Sequence, residues 1–336
     1  MKRLASYILL ASWSFGLFAE NKEQPTLHIK RATGSIVIDG ELRETDWQNA
    51  EVAGGFFKSF PDDTSYAQTL TKVRVTYDEH NIYIAAECYD EVEGDYVIQS
   101  LKRDFSFPVS DAFAVFIDPF NDHLNGFSFA VNPLGVQREG LVEGGGGFGV
   151  TTSWDNKWSS EVKHYDGYWV VEMAIPYKTI RYKEDINIWG INFARNDLKR
   201  NERSSWSPVP INFNIASLAF TGQMIWDTPP AKAGANITVI PYAIGNTSRD
   251  IENKEEIETG GNIGGDIKIA VSSSLNLDLT VNPDFSQVEV DRQQTNLTRF
   301  NLFFPEKRQF FTENSDLFGD FGFRQIRPFF SRNIGL

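Results

Sequence analysis

Tryptophans set among amides and acids are the residues of this chain best suited to chemistry. Trp154 and Trp158 follow the run Gly144-Gly145-Gly146-Gly147 and enclose Asp155 and Asn156. Arg195-Asn196 closes an apolar stretch, and Trp206 follows Arg203-Ser204-Ser205. Flat aromatic faces cover the C–H face of a sugar ring, and planar polar groups satisfy its hydroxyls. Trp154, Trp158, Trp206, Arg195 and Asn196 are therefore the candidate ligand-binding residues, for a polysaccharide or oligosaccharide. Core or edge packing is the competing role for the same indoles. Trp47 and Trp169 lie inside apolar patterns and are assigned to the core. The glycine run is no phosphate loop, because no Gly-Lys-Ser/Thr follows it; it reads as a mobile loop over the binding face.

Asp118 and Asp122 flank Phe120-Asn121 in a turn rich in oxygen ligands. Such a cluster suits calcium, with a solvated acidic turn as the alternative. Catalytic patterns are sparse. The four histidines, His28, His80, His123 and His164, form no His-Glu-x-x-His pair, and no Gly-x-Ser-x-Gly elbow is present. A carboxylate pair for glycoside hydrolysis is spatial and cannot be read from spacing; Glu139 and Glu143, beside the glycines, are the first candidates. No catalytic residue is assigned.

The chain that must position these groups has 336 residues, 41% of them apolar and 14% aromatic, enough for two domains. Its net charge is −13, which disfavours general binding of nucleic acid. A single cysteine, Cys88, excludes an intrachain disulfide and reads as an inert buried thiol. Met1-Lys2-Arg3 is basic, Leu4 to Phe18 is apolar, and Leu17-Phe18-Ala19 precedes Glu20. This is the layout of a secretory signal peptide over residues 1–19, so an exported protein is expected.

Seven tryptophans lie beyond the leader and all precede residue 227. That shift, with Pro229-Pro230, divides the chain into a first domain over 26–226, a linker over 227–236 and a second region over 237–336. The first reads as all-β. Val73-Arg74-Val75-Thr76-Tyr77, Ile82-Tyr83-Ile84-Ala85-Ala86, Phe113-Ala114-Val115-Phe116-Ile117 and Phe127-Ser128-Phe129-Ala130-Val131 are short strands with turn residues between them. Asp78-Glu79-His80-Asn81 is a hairpin connection, and Leu42 to Ala50 suits one short helix. Many short strands point to an immunoglobulin-like or jelly-roll-type β-sandwich. In the second region, seven of the eight odd positions from Ile267 to Val281 are apolar and the even ones are mostly polar. Period two is strand with one greasy face. At about 3.3 Å per residue one strand of that length is unusual, so a turn is expected at Ser272-Ser273-Ser274. The wall of a transmembrane barrel and a second soluble sheet fit the pattern equally.

Ile38-Asp39-Gly40-Glu41, Asp46-Trp47, Ser110-Asp111, Val115-Phe116-Ile117-Asp118-Pro119, Val131-Asn132-Pro133 and Trp169-Val170-Val171-Glu172-Met173-Ala174-Ile175-Pro176 resemble the family 9 carbohydrate-binding module over residues 26–226. That resemblance implies a β-sandwich, an aromatic sugar clamp and the capacity for structural calcium. Val281-Asn282-Pro283-Asp284-Phe285-Ser286-Gln287-Val288-Glu289 and Phe303-Phe304-Pro305-Glu306-Lys307-Arg308 resemble the start of the barrel-like domain of unknown function 5916. It implies an incomplete outer-membrane-type barrel, with paired phenylalanines at 303–304, 310–311 and 329–330 as a girdle or plug. The expectation is a protein of the outer membrane or periplasm of a Gram-negative bacterium, capturing glycans without catalysis and attached to the outer membrane by its C-terminal region. A carbohydrate-active hydrolase and a structural or interaction module of the barrel are the alternatives.

Overall fold

The computed structural model describes residues 24–283 apart from 153, 155, 184–185, 231–235, 249–257 and 273–274. The expected signal peptide, Asp155 and the phenylalanine pairs lie outside the described residues. Fourteen strands build the first domain: β1 Thr26–Arg31, β2 Val52–Ala53, β3 Phe57–Phe60, β4 Thr71–Tyr77, β5 Asn81–Tyr89, β6 Ala112–Asp118, β7 Gly126–Val131, β8 Gln137–Val142, β9 Val150–Thr151, β10 Ser159–Tyr165, β11 Tyr168–Pro176, β12 Ile188–Asp197, β13 Glu202–Ser205 and β14 Gly222–Trp226. Among the described residues the one α-helix is short, α1 Thr45–Asn49, inside the stretch expected from sequence.

The strands run in the order β10-β11-β5-β4-β1-β14-β12-β6-β7-β8-β9, with β2 beside β4 and β3 beside β13, which flanks β12. Strand β1 is the seam. Thr26–Ile29 pair in parallel with β14, and Lys30–Arg31 pair in parallel with β4. The ribbon folds there into two leaves, one centred on β5 and one on β6, and the all-β sandwich is confirmed.

Alternation explains the core. Val73, Val75, Ile82, Ile84, Val171 and Met173 from the β5 leaf meet Phe113, Val115, Ile117, Phe129, Ile191 and Phe193 from the β6 leaf. Burying these side chains stabilises by roughly 2 kcal/mol each. The turn after β4 forms as expected: Asp78 Oδ1 accepts the N–H groups of His80 at 2.7 Å and Asn81 at 2.8 Å. Cys88 is a buried free thiol whose pKa burial pushes up to about 12.

The outward faces are covered too. On the β5 leaf, Glu172 is sealed beneath the segment that carries α1. Its carboxylate accepts N–H bonds from Gly40 at 2.7 Å, Asp39 at 3.0 Å and the Trp47 indole at 2.9 Å. On the β6 leaf, Ala112, Ala114, Phe116, Ala130 and Ala194 lie under Phe107, Val209, Ile215 and Leu218 from two long loops. This second layer makes β6 buried along its whole length.

A separate three-stranded sheet comprises β15 Asn236–Ser248, β16 Glu258–Ser272 and β17 Leu275–Val281. The apolar alternation splits between β16 and β17, bracketing the expected turn. Its register is Ile237 opposite Ile269, Val239 opposite Ile267, Ile267 opposite Leu279 and Ile269 opposite Leu277. Paired residues share a face, so these side chains form one apolar surface. Ile237, Val239, Leu277, Leu279 and Val281 are exposed on it.

Candidate carbohydrate site

The outer face of the β6 leaf carries a cavity of about 470 Å³, within the range of small-ligand sites. Its floor follows from register. Ala194 on β12 sits opposite Ala114 on β6, Ala114 opposite Ala130 on β7, and Ala130 opposite Arg138 on β8. Of these, Ala114 and Arg138 line the cavity, and the small methyl group of Ala114 leaves room where a larger residue would fill it. Phe116 continues the floor, while Phe107 and the half-exposed Phe213 stand as walls. Phe213 packs edge-on against Phe220 at 4.8 Å. Arg138, Arg203, Asn212 and Asn214 supply the polar lining.

Two asparagines on β12 hold the walls. Asn192 donates from Nδ2 to the carbonyl oxygens of Ser207 at 3.0 Å and Phe220 at 3.3 Å, and its Oδ1 accepts the Ser207 N–H at 2.9 Å. Both ends of the 207–220 loop are thereby tied to one side chain. Asn196 donates to the carbonyl oxygens of Phe107 at 2.9 Å and Ser110 at 2.8 Å, fixing the turn that carries Phe107. Asn214 closes its own turn, with Oδ1 accepting the Ala216 N–H at 3.0 Å. Ring and amide groups held this way lose little freedom when a ligand arrives.

The glycine run forms the far rim. Gly146 has φ +79°, and a Cβ there would lie 2.2 Å from the Ala216 carbonyl oxygen. Only glycine lets the two loops touch. Gly147 and Gly149 line the cavity beside it.

The residues singled out from sequence lie elsewhere. Trp154, Trp158 and Trp206 are 6%, 7% and 6% exposed and belong to the inter-leaf core. Trp154 packs on Phe127, Trp158 on Phe129 and Trp206 on Phe193. Trp158 also donates its indole N–H to Glu139 at 3.2 Å. No face of these rings is open for stacking, and the open aromatic edge is phenyl instead. Arg195 points between the leaves, donating to the Leu70 carbonyl oxygen at 3.3 Å and pairing with Asp197 at 3.5 Å. It borders a void of about 10 Å³, room for one water at most. Asn196 has both N–H groups engaged in holding the turn that carries Phe107, and it is not among the residues lining the cavity.

The calcium expectation fares similarly. Asp118 is fully buried and accepts N–H bonds from His123 at 2.8 Å and Phe120 at 3.2 Å, which closes the β6–β7 turn; burial outweighs them and raises its pKa. Asp122 accepts the Leu124 N–H at 2.8 Å. No group of three or more metal-ligating side chains occurs among the described residues. Glu139 is fully buried and held by Arg103 and Trp158, which removes it as an open catalytic acid. Glu143 accepts from Thr151 at 3.1 Å at the start of the glycine run.

Residues 38–210 match the carbohydrate family 9 binding domain-like model. The chain belongs to that family. Residues 235–336 match the domain of unknown function 5916. The family 9 region is similar to endo-1,4-beta-xylanase A of Thermotoga neapolitana, 31% identical over 185 residues, and to that of Thermotoga maritima, 30% identical over 185 residues. Each match takes in 52% of this chain and spans only 15% of the xylanase. Among solved structures, a family 9 module from Caldicellulosiruptor kristjanssonii in complex with cellotriose is similar at TM-score 0.43 and 21% identity, covering 60% of this chain and 93% of that one. A putative carbohydrate-binding protein from Bacteroides uniformis is similar at TM-score 0.48 and 13% identity, covering 61% and 100%.

Proposed function

We propose that this protein is an exported, non-catalytic glycan-binding protein of the Gram-negative outer membrane, with its ligand in the cavity on the β6 leaf. The carrying observation is the trough over Ala114, walled by Phe107 and Phe213 and lined by amides and guanidinium groups. Apolar rings between polar hydrogen-bonding groups are what a sugar presents in mirror image. Membership of the family 9 group supports a carbohydrate as the occupant.

The membrane part of the reading rests on the second sheet. Ile237, Val239, Ile267, Leu277, Leu279 and Val281 share one face. The opposite face has Lys268 beside Asp278. Lipid outside and polar groups inside is the alternation of a barrel wall. The strands, of 13 and 15 residues, exceed the roughly 9–11 that a tilted strand needs to cross a bilayer. The sandwich would then present the cavity at the cell envelope.

Calorimetric titration of the full chain in detergent with a panel of neutral and charged oligosaccharides tests the binding reading. Saturable binding that Phe213→Ala weakens at least tenfold is the expected result. Absence of binding to every sugar in the panel would overturn it.

A further inference from the structure

Six arginines of the sandwich meet a carboxylate, Arg31 on Glu79 and Arg43 on Glu41 among them. Arg74, Arg103, Arg195 and Arg200 each meet a carboxylate, from Glu87, Glu139, Asp197 and Glu91 respectively. Arg138 and Arg203 form no ion pair among the described residues, and both line the cavity. They approach it from opposite sides. Arg203 on β13 lies opposite Asn196 of β12, and Arg138 on β8 lies opposite Ala130 of β7.

Their surroundings leave the charge uncompensated by contact. Arg203 donates from Nε to Ser59 Oγ at 3.4 Å, and burial alone lowers its pKa. Arg138 is lowered by burial as well, with Asp104 and Glu139 acting on it only through space. A guanidinium keeps its proton under such a penalty, so two half-buried cations border a floor of alanine and phenyl groups that offers them nothing. The chain as a whole carries −13, so the pair is not part of a broad basic surface that would attract any polyanion. A planar guanidinium matches a carboxylate or sulfate group through two parallel N–H bonds.

We infer that the cavity selects saccharides bearing an anionic group, a uronate carboxylate or a sulfate ester, and that Arg138 and Arg203 are its partners. This rests on the carbohydrate reading of the same cavity.

The full chain in detergent is titrated with sugars in matched pairs that differ only in charge. Trigalacturonate is paired with its methyl ester, trimannuronate with its methyl ester, and a sulfated galactan oligomer with its desulfated form. The charged member of at least one pair should bind at least tenfold more tightly, and the pair that responds identifies carboxylate or sulfate as the source. In Arg138→Gln and Arg203→Gln that preference should shrink to threefold or less, with thermal melts reporting that each variant is folded. In the unaltered chain the same preference should weaken as salt rises from 50 to 500 mM, which checks the idea without any variant. Binding of neutral members as tightly as charged ones would overturn this inference and leave the sugar site standing. Binding of no member at all would remove the sugar site itself.

Discussion

Replacing Trp206 and Phe213 by alanine separates a core ring from a ligand ring, and the two outcomes should be opposite. Trp206 packs on Phe193 at 5.6 Å between centroids, and its other edge faces Gly222, where even a Cβ would come within 2.6 Å of the ring. Glycine has no side chain with which to refill the space. Trp206→Ala should therefore cost about 3–5 kcal/mol. For a domain of roughly 200 residues each kcal/mol moves the midpoint by about 2–4 °C, which gives a fall of about 6–20 °C. Phe213 is 52% exposed and loses mainly its edge contact with Phe220. Its removal should cost about 1 kcal/mol and lower the midpoint by no more than about 4 °C, while sugar affinity falls at least tenfold. Thermal melts followed by circular dichroism, with calorimetric titration of the same samples, read both quantities. A Trp206→Ala protein that melts like its parent and has lost its ligand would refute the reasoning, because that indole would then be the sugar platform.

Two further perturbations test how the scaffold holds the site. Burial raises the pKa of Glu172 to about 7 despite its three N–H donors. The folded value exceeds the unfolded one, so its stabilisation is complete below pH 4.5 and is lost as pH rises through about 7, by about 3 kcal/mol in all. Glu172→Gln should lack that loss, so urea denaturation at pH 4.5 and 7.5 should show the parent's advantage over the variant shrinking with pH; an advantage that grows would mean the ionised carboxylate is the favoured form. Gly146→Ala combines a left-handed backbone with a 2.2 Å approach to the Ala216 carbonyl oxygen and should cost about 2 kcal/mol or more and weaken ligand binding. Gly144→Ala, at φ +57° with open space around it, should cost about 1 kcal/mol. Equal melting temperatures for the two variants would show that the loop contact is not needed.

Much of the fold is legible in sequence because strands bury every second residue, as Thr71 to Val75 do, or both faces when a second layer covers them, as Ile82 to Ala86 do. The Ser272 break is legible for a length reason, and the Asp78 turn for a hydrogen-bonding one. Direction is not legible. A tryptophan after a glycine-rich stretch has the same neighbours in sequence whether its ring faces water or the opposing leaf. Arg195 and Asn196 are adjacent, yet one enters the inter-leaf core and the other supports the outer face, as period two requires. The cavity floor around Ala114 is harder still. Ala114, Ala130 and Ala194 become neighbours only through the registers of three strands, and each alone reads as ordinary core. Asn212-Phe213-Asn214 carried the one available signal, an aromatic residue between two amides in a polar loop.

The seam at β1 bears on how the chain reaches this state. Thr26 finds its partner at Gln223, nearly the whole sandwich later, while Lys30 waits for Thr76. Strand β1 thus precedes its partner β14 by nearly two hundred residues, and such distant pairing slows folding. Until β14 is delivered, Leu27 and Ile29 have no partner strand, because β4 pairs only with Lys30 and Arg31, and the two leaves have no hinge.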